Sequence, residues 1–391
     1  MKLLLTTNAR LVKNDRGEYF TSVVYGYGFF ERYLEVFDEI KLVAHCEALD
    51  EIPEGYLRVD GEKLSVIEVP FPHGKVEYVK KYISIKKELK KKLKNADYDV
   101  AILRIPDQLS FQVFNVIKKA GKPIGAEIVS SAWDIMAPDV SSNPLRPFIR
   151  LIWDYNEKKI CRNADGTAFV TKEHLQKRYK PKFSGEHFTT DYSSANVEKA
   201  VSEPKAYGEG VKTAIHVSAD IGGTVKGHLE LAEAMAKLKE DGIILNAVIV
   251  GNGELSPAVT EIIRQEGLES QIRLTGRLTK EQLSQEYKNA DLFVFPSYRE
   301  GLPRVVIEAM TYALPVVATD IPGIRELINP EYLVSVKDSL ALYEKLRLVL
   351  TNNDLLEKMS KENLDNSSFY TKDVLQTKRN EFFKKLISLI K

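Results

Sequence analysis

Short apolar runs alternate along this chain with segments of helical spacing. In the first half Leu3-Leu4-Leu5, Ile40 to His45, Val66 to Val69, Tyr98 to Leu103 and Ile124 to Val129 have strand length. Phe29 to Phe37 and Phe111 to Ala120 repeat apolar residues at helical intervals, and Gly121 supplies a helix stop. Asn8 to about Ser22 reads as a long polar segment. Apolar strands alternating with helices predict a parallel sheet covered on both faces.

A second alternation starts at Thr213. Ala214 to Val217, Leu245 to Val250, Ile272 to Thr275, Leu292 to Phe295 and Pro315 to Ala318 read as strands. Lys226 to Lys239, Val259 to Glu266, Lys280 to Asn289 and Pro303 to Thr311 read as helices. Between the halves, Lys180 to Gly210 has weak periodicity and holds Pro181, Gly185, Ser193, Ser194 and Pro204, so it reads as a connection. The expectation is an α/β fold with two Rossmann-like domains facing across a cleft. Residues 1–195 form the first and 205–370 the second, with a helix over 371–391 free to pack back on the first. Ligands of such sheets bind at the carboxyl ends of the strands. The length of 391 residues agrees, being long for a single core.

Composition removes several classes. A net charge of +1 lacks the basic excess of a protein that binds nucleic acid. The two cysteines, Cys46 and Cys161, cannot build a four-thiolate zinc site and suit a reducing cytosol. The apolar start turns polar at Thr6 and is too short for a signal peptide. No apolar run is long enough for a membrane span. A cytoplasmic protein is expected. One local charge stands out: Lys80 to Lys94 holds eight lysines and one glutamate. Val79, Tyr82, Ile83, Lys86, Leu89 and Leu93 fall near one helical stripe there. Such a helix either packs on its own sheet or lies on an anionic membrane surface, which would make the chain peripheral at the inner membrane face.

The most informative stretch runs from Asp291 to Met310. A buried strand ends at Pro296-Ser297, a loop with Gly301 follows, and Pro303 suits a first helical turn because its missing N–H is not needed there. The helix start then offers N–H groups to an anion such as a diphosphate. Glu300 and Glu308 flank that start, on the order of 10 Å apart along a helix axis. One carboxylate suits a transferred hexose; the other can accept two hydrogen bonds from a ribose diol. Two solvated glutamates at a helix start would give the same pattern.

Glu300-Gly301-Leu302-Pro303, Ile307-Glu308-Ala309-Met310 and Leu314-Pro315-Val316-Val317-Ala318-Thr319 together resemble the signature of the family-4 retaining glycosyltransferases, which have the GT-B fold. The resemblance extends from about Ala214 to Ile328. Within it Gly251-Asn252-Gly253 resembles the family's glycine turn, and Gly276-Arg277 the loop near the base. Lys226, after Gly222-Gly223, matches the family's phosphate-binding lysine. Phe29 to Leu34 and Phe169-Val170-Thr171 look, more loosely, like members acting in bacterial surface-polysaccharide synthesis. The resemblance implies a nucleoside-diphosphate sugar donor, retention at the anomeric carbon, and a hexosyltransferase that needs no metal and no cofactor. Lys226, Glu300 and Asp134 would be catalytic. Gly222, Gly223, Lys226, Gly251, Gly253, Arg277, Glu300, Gly301, Leu302, Arg304 and Glu308 would bind the donor. The acceptor would be a glycan or a lipid-linked saccharide. Two positions depart from the family: Ile221 stands where an arginine is frequent, and Ala313 where a glycine is.

On the acceptor side Gly26 and Gly28 open a helix and could form an acceptor or phosphate loop, though two glycines alone are a weak fingerprint. Trp133-Asp134 follows a strand at a place where the family has polar residues; packing and a helix cap are the plainer reading. His45, His73 and His216 lack partner spacing and read as structural. Asp97-Tyr98-Asp99 looks like a metal-binding pair but precedes a strand, at the end away from the expected cleft. Two other functions remain open: an epimerase of the same fold, and a non-catalytic scaffold that binds sugar nucleotides, the latter motivated by Ile221. A nicotinamide oxidoreductase is disfavoured because no complete Gly-x-Gly-x-x-Gly follows a strand.

Overall fold

The computed structural model describes residues 1–72, 74–136, 144–181, 187–192 and 197–391, without the side chains of 74–76, 78–80 and 224. His73, Gly185, Ser193 and Ser194, singled out above, lie outside these residues. The chain divides into two compact units: Met1–Tyr192 with Gln376–Lys391, and Ser193–Leu375.

The first unit holds β1 (Lys2–Lys13), β2 (Tyr19–Thr21), α1 (Tyr27–Leu34), β3 (Glu39–Ala48), β4 (Leu57–Arg58), β5 (Leu64–Pro70), α2 (Gly74–Lys94), β6 (Val100–Ile105) and α3 (Gln108–Ile117). It continues with β7 (Ile124–Ile128), α4 (Ala132–Ile135), α5 (Arg146–Asn163), β8 (Gly166–Phe169), α6 (His174–Arg178) and β9 (Phe188–Asp191). β5, β3, β1, β6, β7, β8 and β9 lie side by side in parallel. β1 is longer than its apolar start suggests. Beyond Thr7 it alternates exposed Asn8 and Arg10 with buried Ala9 and Leu11, a half-buried strand rather than a polar loop. Its outer end turns back through β2, which pairs antiparallel to it and in turn pairs with β4.

Right-handed crossovers place α2, α3 and α5 on one face of this sheet, since each connects strands stepping in the same direction. α3 packs against both α2 and α5. The other face is covered by α1 and by the chain's last helix, which stacks Phe383 on Tyr33 and sets Phe382 and Leu386 over Gly125 and Gly166.

α2 settles the amphipathic stripe differently from the sequence reading. Ile85, Leu89 and Leu93 are buried, whereas Tyr82 and Ile83 are exposed among the lysines. The helix period puts Ile85 in line with Leu89, and that face is spent on the unit's own core.

The second unit holds β10 (Lys212–Asp220), α7 (His228–Glu240), β11 (Leu245–Asn252), α8 (Pro257–Gln265), β12 (Ile272–Gly276), α9 (Lys280–Asn289), β13 (Leu292–Phe295) and α10 (Arg304–Thr311). β14 (Val316–Thr319), α11 (Pro322–Arg325), β15 (Leu333–Val334), α12 (Ser339–Leu350) and α13 (Asn353–Ser367) follow, and α14 (Lys372–Ile387) passes into the first unit's residues at Gln376. All pairings are parallel, in the order β12-β11-β10-β13-β14-β15. The order reverses at β10, whose two neighbours are reached in opposite directions. Between β10 and β13, at their carboxyl ends, such a sheet opens a crevice.

Candidate functional site

The loops after β10 and β13 meet at that reversal. After β10 the chain makes a short turn over Thr224–Lys226, and Gly227 takes a left-handed conformation with φ of 74° before α7 begins at His228. The helix expected to start at Lys226 therefore starts two residues later. Gly227 has no substitute here, since an added Cβ would stand 2.1 Å from the Pro296 carbonyl oxygen. This close approach joins the two loops: the Tyr298 N–H donates to the Val225 carbonyl at 2.9 Å.

Lys226 is thereby aimed at the loop after β13. Its Nζ lies 2.6 Å from Glu300 Oε1, with both side chains about a quarter or less exposed, at 25% and 21%. Buried Ser297 holds the same oxygen at 3.0 Å, and Thr319 donates to the Ser297 carbonyl. The carboxylate is thus fixed by a hydroxyl from behind and a cation from the front. Ser297 escaped the sequence reading, although it ends an apolar strand immediately before the glycine loop.

The loop reaches α10 through Gly301, Leu302 and Pro303. Pro303 is the extended residue before the helix, with ψ of 114°, not its first residue. No side chain caps this end; the Val306 N–H reaches the Pro303 carbonyl at 3.2 Å, and the N–H groups before it are those that a helix start offers to an outside partner. Gly323, in α11, backs the loop: a Cβ there would lie 1.6 Å from the Gly301 oxygen. Gly323 was also missed; its only sequence trace is the Pro322-Gly323 pair after a strand.

Glu308 sits deeper in α10. The Tyr287 hydroxyl donates to its Oε2 at 3.3 Å, and Tyr287 is itself stacked on Tyr312. Burial raises the Glu308 carboxyl above its ordinary value, opposed by the charge of Arg304 and the Tyr287 hydrogen bond. Arg304 and Arg277 are exposed. The glycine turns lie beside the pair: Gly222 N–H donates to Asp220 Oδ1 at 2.9 Å, and Ile221 N–H bonds the Asn252 carbonyl at 2.9 Å, so the loop with Gly223 is pinned to the turn of Gly251 and Gly253.

The two departures have physical reasons. Ile221 is buried against Gly251, so this position fills space and offers no place for a cation. Ala313 has a φ of 57°, the left-handed region where glycine is the unstrained residue. His216 and His228 stack edge to face beneath the site, 4.7 Å apart, and burial lowers them to about 3 and about 4. Both are therefore neutral at pH 7, whereas Lys226 is paired with Glu300.

In the first unit Asp134 lies in α4. Ser131, not Asp134, caps that helix, accepting the Asp134 N–H at 3.3 Å. The Asp134 carboxylate faces His174 Nε2 at 3.9 Å and is about half exposed. Trp133 is held between two guanidiniums, Arg150 at 3.6 Å and Arg178 at 4.4 Å from its ring centre. Gly26 is the residue before α1, and Gly28 is inside it. α1 carries Phe29 and Tyr33 onto a buried pair that the sequence reading missed, Arg104 with Glu127, whose carboxylate also accepts from Tyr33 at 2.8 Å and Tyr192 at 2.7 Å. Asp97 and Asp99 precede β6 and bond the Lys2 side chain and Lys2 N–H. Among the described residues no three His, Cys, Asp or Glu side chains are gathered to hold a metal ion, and no helix is long and apolar enough to cross a membrane.

With this geometry in place, comparison with known proteins is specific. Residues 203–365 match the family described as "Glycosyl transferases group 1". The chain is 25% identical over 374 residues to Protein CapJ of Staphylococcus aureus, covering 94% of this chain and 92% of that one. It is 36% identical over 123 residues to TuaC of Bacillus subtilis, named for glycosyl transfer in teichuronic acid biosynthesis; that match covers 31% of this chain and 29% of TuaC. The solved sucrose-phosphate synthase from Thermosynechococcus elongatus superposes with a TM-score of 0.71 over 99% of both chains at 16% identity, a likeness of fold. The chain has the GT-B fold, its residues 203–365 match the group 1 glycosyl transferases, and it is similar to glycosyltransferases of bacterial polysaccharide synthesis.

Proposed function

We propose that the chain transfers a hexose from a nucleoside-diphosphate sugar to a glycan or lipid-linked acceptor of a cell-surface polysaccharide, with retention at the anomeric carbon and without a metal ion. The observation that carries this reading is the Lys226–Glu300 pair at the reversal between β10 and β13, beside an uncapped helix start. Lys226 and the N–H groups of Gly301 and Leu302 bind the diphosphate, with Arg304 at the start of α10 and Arg277 in the loop after β12 to add charge. Fixed donors aimed at the leaving oxygens supply the large electrostatic part of catalysis. Glu300 positions the hexose and Glu308 the ribose. Gly222, Gly223, Gly251 and Gly253 keep the floor free of side chains.

In the reaction the bond from the anomeric carbon to the diphosphate oxygen breaks, and a bond to the acceptor oxygen forms on the same face. The acceptor proton passes to the departing diphosphate. Gly26, Gly28 and Asp134 of the first unit serve the acceptor. The exposed lysines of α2 draw the chain to the anionic inner face of the membrane, each adding about 1 kcal/mol near the surface.

The test is incubation with uridine and guanosine diphosphate hexoses, with and without short saccharide acceptors, read by proton NMR. A new glycoside with the donor's anomeric configuration supports the reading. A donor converted to its epimer without acceptor, or a product of inverted configuration, overturns it.

A further inference from the structure

α5 carries an apolar face that is largely exposed among the described residues. Phe148, Leu151, Ile152 and Tyr155 are 67%, 59%, 58% and 65% exposed, and Leu145, just before the helix, is 62% exposed. Their spacing of three and four residues makes them one stripe along two turns. Soluble proteins expose single apolar side chains freely, but a contiguous stripe of large ones marks a surface that meets something.

The charge around the stripe identifies the occupant. Both carboxylates of α5, Asp154 and Glu157, are buried and turned inward. What borders the stripe is basic: Lys158 and Lys159 are half-exposed and Arg162 is exposed, whereas Arg146 and Arg150 lie on the opposite side of the helix, against Met136 and Trp133. α3 alone separates α5 from α2, on the same face of the sheet. α2 adds exposed Lys86, Lys87, Lys90, Lys91 and Lys94, with Ile83 at 67% exposure among them. A second copy of the chain, meeting this patch with its own in a two-fold contact, would set basic border against basic border. An anionic bilayer complements both parts, taking the apolar stripe into its headgroup boundary and the cations at its phosphates.

We propose that the face formed by α2, α3 and α5 of the first unit docks on an anionic bilayer, with the α5 stripe as the element that enters it. This goes beyond the attraction of the α2 lysines named above: those lysines bring the chain to the surface, and α5 holds it there.

Sedimentation of the full chain with vesicles tests this, comparing phosphatidylcholine containing about 30 mol% phosphatidylglycerol with phosphatidylcholine alone. No donor is present, so the result is independent of the transfer chemistry. The expected result is binding to the anionic vesicles at least about tenfold above neutral ones, weakened by salt. Phe148→Ser with Leu151→Ser and Tyr155→Ser should lower it about tenfold, with Tm nearly unchanged because these side chains are largely exposed. Lys86→Glu with Lys87→Glu and Lys90→Glu should lower it and remove the salt dependence. Triple-serine protein that binds as tightly as wild type overturns the role of α5. So does a wild type that ignores both vesicle types but sediments as a dimer, with the triple-serine form monomeric; the stripe would then be a contact between copies.

Discussion

The Lys226 ammonium and the Glu300 carboxylate are 2.6 Å apart across the reversal of the second unit's sheet, and Ser297 shares the same carboxylate oxygen at 3.0 Å. On the proposed function, an incoming diphosphate competes with Glu300 for Lys226. The pair is partly exposed, so its own contribution to stability is about 1 kcal/mol or less. Glu300→Gln should therefore leave Tm nearly unchanged. It should hold or modestly improve affinity for a nucleoside diphosphate, and lower the transfer rate by roughly 100-fold or more. Calorimetry beside single-turnover kinetics separates the two effects. A variant that loses binding and rate equally would show that Glu300 acts on the diphosphate rather than on the hexose.

Much of this site is legible in sequence, for a local reason. Leu292 to Phe295 is uniformly apolar, and Pro296, Gly301 and Pro303 punctuate it, so the strand, loop and helix follow from neighbours in the chain. Features made by distant residues leave no such trace. Ser297 matters because Lys226 and Glu300 meet beside it, and Gly323 because the Gly301 backbone passes against it. Arg104 and Glu127 are charged residues inside apolar strands, which becomes informative only when the sheet places them side by side. The outer half of β1 was hidden by its polar residues, although its burial alternates with the period of a strand. On α2, counting apolar residues mixed the core face of Ile85, Leu89 and Leu93 with exposed Tyr82 and Ile83.

Glu308, proposed to bind the ribose, carries a cost in the empty protein. Burial raises its carboxyl above the ordinary range, so at neutral pH its charge weakens the empty protein. Glu308→Gln should keep or slightly raise Tm at pH 7 while weakening nucleoside-diphosphate binding about tenfold, the loss of one charge-assisted contact of roughly 1.4 kcal/mol. Thermal melts and calorimetry on one preparation check both. Unchanged binding would remove the ribose assignment.

Gly323→Ala should act through the backbone of the site. The added Cβ would fall 1.6 Å from the Gly301 oxygen, so one of the two segments must move. A cost of about 2–3 kcal/mol in urea unfolding is expected, from overpacking at a buried position, together with weaker donor binding. A variant as stable as wild type would show that the loop yields without strain.

In the first unit, Glu157 is fully buried beneath α4, accepting the Ala132 N–H at 2.9 Å, and burial pushes its carboxyl up to about 8. The folded protein therefore holds a proton that the unfolded chain releases near its ordinary value of 4.5. Stability from this group is complete below about pH 4.5 and is lost as pH rises to about 8. Glu157→Gln cannot release the proton. Its Tm should match wild type near pH 5 and exceed it progressively toward pH 8, by a free energy on the order of several kcal/mol. Parallel Tm profiles across that range would contradict a neutral buried Glu157.

The central claim is that the loops after β10 and β13 hold a nucleoside-diphosphate sugar through Lys226, with no metal ion. A thermal-shift screen of wild type and Lys226→Ala against a panel of nucleoside-diphosphate sugars, with chelator present, tests it most directly, because a ligand that binds only the native state raises its stability with the logarithm of concentration over Kd. The account predicts a selective rise in Tm for wild type that survives chelator and is largely lost in Lys226→Ala. No shift with any sugar nucleotide in a folded sample, or a shift equal in both proteins, would contradict it.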